Sequence, residues 1–224
     1  MKYHFFHIKH ILTLGLIGGV FLILFSSCNP TKSLTPGQVF LQSNKIKIDN
    51  RKINKDEVEG LIKQKANKKI LEIARFYLGV YHYWPPWRDN ELRHNSGEPP
   101  VIYDSLLTQR TVKQLKIYLK NRGYFDSKVN FSTKEKGNKI KVKYHIETGE
   151  PYLIKSVDYV FGDEQIKSKS FLILRKTLFD LRPGNVFDID VLDKQREKIK
   201  AEMKNLGYYY FNKDFIKYKV DCSL

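Results

Sequence analysis

Cysteine is nearly missing from this chain: of 224 residues only Cys28 and Cys222 carry a thiol. A disulfide framework is thereby excluded as the main source of stability, so the folded part must hold together through its core. Acids are scarce against bases, with 24 Asp and Glu facing 40 Lys and Arg for a net charge of +16. Such an excess attracts nucleic acid, lipopolysaccharide and anionic lipid headgroups alike, and it says nothing about fold. The chain also lacks a phosphate-binding Gly loop, a Ser/His/Asp pattern and paired carboxylates, so an enzymatic reading has little to stand on. His82 and His94, with Asp89 and Glu91 nearby, match no tight ligand spacing, and no metal or cofactor is expected. Trp84 and Trp87 beside Pro85 and Pro86 read as a loop packed on a core rather than a base-stacking platform. Cys222 has no His arranged near it and reads as an incidental thiol. What remains is globular composition, 42% hydrophobic and 29% charged, far from that of a disordered chain.

The first residues are of another kind. MKYHFFHIKH holds Lys2 and Lys9 and no acid, and ILTLGLIGGVFLILF follows without a charge. These are the n-region and h-region of a secretory signal, short and Gly-broken for a membrane span. An N-terminal membrane anchor is the alternative. Ser26-Ser27-Cys28 resembles the lipobox of bacterial lipoproteins, although Phe25 stands where Leu is usual and Leu24 lies one place early. In that motif the Cys is acylated and becomes the new N-terminus, which makes Cys28 the expected lipidation site and residues 1–27 the signal peptide. Losing them removes two lysines and no acid, leaving +14 of the +16. Export also argues against nucleic acid as a partner.

Residues 28–43, with Pro30, Pro36 and Gly37, read as a short polar tether. NKIKID alternates around Ile46 and Ile48 and predicts a strand; Asn54 caps a helix that brings Val58, Leu61 and Ile62 to one face. Residues 68–83 predict a mostly buried helix, ended by WPPW. DSLLTQRTVKQLKIYLKNRG predicts another, with Val112, Leu115 and Leu119 in register and Gly123 just past its end. KVNFSTKEK and KIKVKYHIE around Gly137-Asn138 predict a hairpin; Ile140, Val142, Tyr144 and Ile146 alternate there with Lys139, Lys141, Lys143 and His145.

The plan then recurs. YLIKSVDYVF predicts a strand, SKSFLILRKTLFD a helix, and a second helix opens at Asp188 or Asp190. Ile199 and Met203 precede Gly207 by the spacing at which Leu115 and Leu119 precede Gly123, and KNLGYYYF answers KNRGYF. DFIKYKVD alternates Ile216, Tyr218 and Val220 against lysines and predicts a last strand.

Several residues carry a family resemblance: Gly123-Tyr124-Phe125 with Val129, Gly149-Glu150-Pro151-Tyr152, Leu181, Gly184 and Phe187, and Gly207-Tyr208-Tyr209. Over residues 44 to 221 this pattern resembles the POTRA domains of the BamA/TamA superfamily of outer-membrane assembly and translocation factors. The stretch from Gly97 to Asp104 and the lipobox are similar to TamA-like lipoproteins. The resemblance implies an α+β fold of two tandem β-α-α-β-β modules, residues 44–149 and 150–224. The strand after Gly137-Asn138 would lie between the other two strands of its sheet. Family members continue into a membrane β-barrel, whereas this sequence stops at DCSL, before the second module's third strand, which suggests a partial product or divergence at the end. Function would then lie in exposed strand edges, with Val129 and Phe131 on one and Ile216 and Tyr218 on another, and with Gly123 and Gly207 as structural residues. The expectation is a non-catalytic, lipid-anchored scaffold on the periplasmic face of the outer membrane. Its partners would be unfolded outer-membrane protein clients or subunits of an assembly complex. The alternative is a basic envelope lipoprotein that binds anionic polymers or lipid headgroups.

Overall fold

The computed structural model describes residues 31, 34–69, 75–83, 97–162, 167 and 181–221. Expectations for Cys28, Trp84, Trp87, His94, the helix over 168–180 and Cys222 lie outside these residues. Strand β1 spans Phe40–Ile48, helix α1 Lys55–Gly60, α2 Phe76–Tyr83, α3 Ser105–Asn121, β2 Lys128–Lys136, β3 Lys139–Glu147 and α4 Ile189–Asn205. A 3-10 turn follows at Lys213–Phe215.

The three strands form one sheet in the order β1-β3-β2, so the most regular strand of the sequence is the central one, as the resemblance implied. Phe40 N–H donates to the Asn138 carbonyl and Asp49 N–H to that of Ile146, so the partners advance together and β1 runs parallel to β3. The β2–β3 connection is the Gly137-Asn138 turn. Along β3 burial alternates without exception: Ile140, Val142, Tyr144 and Ile146 are buried, and the lysines between them face away.

Two compact units make up the described chain. One holds the residues up to Lys47, Ile62–Thr111 and Phe131–His145; the other holds Ile48–Leu61, Val112–Asn130 and the residues from Ile146 onward. In the first, Phe40, Leu41, Leu78, Val142 and Tyr144 are buried. The irregular stretch 97–104 satisfies its backbone through side-chain amides, as buried or crowded peptide groups require. Asn67 Nδ2 donates to the Pro99 carbonyl while its Oδ1 accepts from Val101 N–H. Gln64 serves Ile102 and Asp104 in the same way. Asp104 then caps α3 by accepting from Leu106 and Leu107 N–H, a cap absent from the sequence reading. Of the helix expected over 68–83, the part shown is α2 from Phe76; Lys68 and Lys69 are not helical.

In the second unit, Asn54 caps α1 through Asp56 N–H, and Asp188 caps α4 through Asp190 N–H. Leu115, Leu119, Tyr124, Val129 and Ile146 are buried. A separate cluster forms around α4, where Leu181, Ile199 and Met203 are buried and Ile154, Val157, Tyr208, Phe211 and Ile216 pack against them. Two expectations need correction. YLIKSVDYVF makes only the isolated antiparallel bridge Leu153↔Val186, and DFIKYKVD makes the 3-10 turn followed by residues without a ladder. Alternation of apolar and polar residues suits a strand, but a strand exists only where another backbone pairs with it. Past Ile154, neither segment has such a neighbour among the described residues.

Candidate strand-acceptor edges

Helices α3 and α4 end alike. Gly123 N–H donates to the Lys120 carbonyl and Tyr124 N–H to that of Leu119; Gly207 and Tyr208 repeat this with Lys204 and Met203. Both glycines have positive φ, +85° and +95°, which completes the left-handed termination that Gly adopts without a Cβ penalty.

Beyond Gly123 the chain is locked in place. Gly123 accepts from Tyr152 N–H and Tyr152 accepts from Phe187 N–H, each at 2.9 Å. The Phe125 ring lies 4.9 Å from Tyr152 and 5.7 Å from Phe187. Arg122, the residue before this glycine, donates to Asp188 at 2.9 Å and to Glu57 at 3.0 Å and pairs with Asp190 at 3.2 Å. Burial opposes its charge, but the hydrogen bond and charge of Asp188, helped by the charge of Asp190, outweigh it and raise its pKa. Tyr118 donates to Glu57 at 2.7 Å; burial and that hydrogen bond push the phenol up to about 12, and the same bond lowers Glu57. Sequence reasoning missed this cluster. Its members come from three separate stretches, and only the capping role of Asp188 had a local signal.

Val129 and Phe131 both lie on β2, an outer strand of the sheet. Val129 is buried, whereas Phe131 is 36% exposed and every later residue of the strand is exposed. Ser132 Oγ and His145 Nε2 meet at 3.0 Å across to β3, which leaves the other long side of β2 without a strand among the described residues. That side is an unpaired row of backbone donors and acceptors.

Ile216 and Tyr218 sit in a different setting. A cleft of about 750 Å³ has Leu181, Ile199 and Met203 at its base. Val157–Gly162 line it together with Phe215–Tyr218 and the aromatic run from Tyr208. Lys155–Phe161 and Lys217–Val220 make no backbone hydrogen bond among the described residues, and Ile216 is extended at φ −93° and ψ 114°. Ile216 is half-buried, while Tyr210 is 98% and Phe215 69% exposed. Burial raises the pKa of both Tyr159 and Tyr218, so their hydroxyls stay neutral hydrogen-bonding groups at the cleft. Apolar floor and unpaired peptide groups together make a surface that suits a peptide backbone better than a small polar ligand.

Residues 42–149 match the POTRA family model, described as a surface antigen variable number repeat. The matched stretch runs from within β1 to just past β3 and takes in β2, β3 and all of β1 but its first two residues. POTRA domains are non-catalytic scaffold domains, typically periplasmic, of outer-membrane assembly factors. They generally interact with outer-membrane protein clients or assembly subunits. No curated protein matches the chain.

Proposed function

We propose that this protein is a lipid-anchored periplasmic scaffold that holds extended segments of outer-membrane protein clients by strand addition. The observation that carries the reading is the cleft beside α4, where two backbone segments that have no hydrogen-bond partners among the described residues border one apolar floor. A client strand laid there would satisfy peptide groups on its flanks and bury alternate side chains on Leu181, Ile199 and Met203. Main-chain pairing tolerates varied client sequences, which suits a scaffold. The open side of β2 around Val129 and Phe131 is a second acceptor edge, with Lys134 and Lys136 there to oppose self-association. The residues from 150 onward are read as a second POTRA-like module. Cys28 would carry the lipid that keeps the chain on the periplasmic face of the outer membrane. TamA-like lipoproteins are the subgroup this reading favours.

Photocrosslinkers placed one at a time at Phe131, Tyr218 and Leu106 test the proposal. Leu106 is 60% exposed on a helix and serves as the control. With an unfolded outer-membrane protein as client, adducts are expected at Tyr218 and Phe131 and not at Leu106. Equal yields at all three positions would reject strand addition. Mass analysis of the membrane fraction should show an acylated N-terminal Cys28; an unmodified peptide spanning Ser27 and Cys28 would reject the anchor.

A further inference from the structure

The turn joining β2 and β3 borders a concavity of about 700 Å³. Lys134 and Lys136 reach it from β2, Lys139 and Lys141 from β3, and Gln42 and Asn138 add polar groups. None of these lysines has an ion pair among the described residues, although lysines elsewhere do, such as Lys213 with Glu197 at 2.9 Å. Among the described residues, no acid and no aromatic lines the concavity. Four unneutralised ammonium groups around one basin repel one another, and an anion seated among them relieves that repulsion.

The lining narrows the kind of anion. Lysines offer compact point charges rather than the planar fork of arginine, which suits phosphate groups on an irregular surface. Without an aromatic face there is nothing on which nucleobases would stack. Thr31 also lines the basin, and it lies three residues after Cys28. Three residues span at most about 11 Å, so an acyl chain on Cys28 would hold the basin within about one to two Debye lengths of the bilayer surface.

From this juxtaposition we infer that the Lys134–Lys141 basin seats on phosphate headgroups of the membrane that holds the anchor. The inference rests on the lipid-anchored reading given above and adds a second, electrostatic contact beside the acyl chain. One acyl chain alone gives only reversible membrane binding, and a basic patch is the usual kind of second attachment. Docking of this face would also fix the orientation of β2, whose opposite end carries Val129 and Phe131.

The test labels lysine amines on the full chain bound to vesicles of phosphatidylcholine, or of equal parts phosphatidylcholine and phosphatidylglycerol. Labelling is read residue by residue by mass spectrometry. Lys134, Lys136, Lys139 and Lys141 should react about fivefold more slowly on the anionic vesicles, as the energy of one lysine near such a surface implies. Lys52 and Lys194, outside the basin, should not change, and high salt should abolish the difference. The double variant Lys139→Glu with Lys141→Glu changes outward-facing side chains and should lose the protection at Lys134 and Lys136. Equal labelling on both vesicles would overturn the inference. So would protection by soluble polyphosphate with none on anionic vesicles, which would assign the basin to a free polyanion. Acylation of Cys28 is read in the same spectra, so a missing anchor and an inert basin are told apart.

Discussion

The phrase Lys-Asn-x-Gly-aromatic ends both α3 and α4, with the same backbone hydrogen bonds, yet the two glycines live in different surroundings. Gly123 is buried, and a Cβ built on it would stand 2.4 Å from the Phe187 carbonyl oxygen. Gly207 is exposed, and a Cβ there would meet nothing within 4 Å. After Gly123, Tyr124 is buried with its hydroxyl accepting from Asn50, and the chain continues into a paired hairpin. After Gly207, Tyr208 is half-buried, Tyr209 and Tyr210 are exposed, and no paired strand follows among the described residues. One local motif therefore serves two ends. At Gly123 it makes room for close packing of backbone on backbone; at Gly207 it only turns the chain.

This contrast is sharpest in a pair of alanine variants. Gly123→Ala must accept both a left-handed φ and a sub-contact clash with backbone, so a loss of about 2–4 kcal/mol is expected in urea melts. Gly207→Ala meets only the φ penalty, and about 1 kcal/mol is expected. Equal losses would show that the surroundings of the two glycines do not matter.

Between these two effects stands Arg122. Removing its guanidinium leaves Asp188, 16% exposed, without its charged partner, and also frees Glu57 and Asp190. Since Arg122 is itself 30% exposed, solvent screens part of the effect, and Arg122→Ala should cost about 1–2 kcal/mol. Arg122→Lys should recover only part of this, because an ammonium cannot fork between several carboxylates.

The smallest effect concerns the middle of α4 and the turn beyond the helix. Lys200 and Lys213 donate to Glu197 and hold its carboxyl down at about 2. A lowered carboxylate pKa contributes stability that is fully present above about 4.5 and is lost as pH falls toward 2. Lys213 opens the 3-10 turn, so its side-chain and amide NMR shifts should move in that window while those of β3 stay fixed. Simultaneous movement in both places would mean that acid unfolds the chain as one.

The sequence readings that held were those that rest on local periodicity or local caps. Alternation over 139–147, the cap at Asn54, the cap at Asp188 and the two glycine ends all depend on neighbours within a few residues. The readings that changed depend on distant partners. Residues 155–161 and 217–220 alternate as strands do, but they make no backbone hydrogen bond among the described residues. For the same reason the sequence could name Ile216 and Tyr218 as edge residues without revealing the apolar floor beside them, because Leu181, Ile199 and Met203 reach it from elsewhere. The Arg122 cluster was invisible because Glu57 and Asp188 lie more than sixty residues away on either side.

Backbone hydrogen exchange on the intact chain decides whether the cleft really offers open edges. Amides of Lys139–Glu147, in the central strand, should be strongly protected, and those of Lys155–Phe161 and Lys217–Val220 should exchange at nearly unprotected rates. Adding an unfolded outer-membrane protein should slow exchange in the latter two segments alone. Protection there equal to that of β3 in the absence of any client would mean the edges are already paired, and the strand-acceptor account would be wrong.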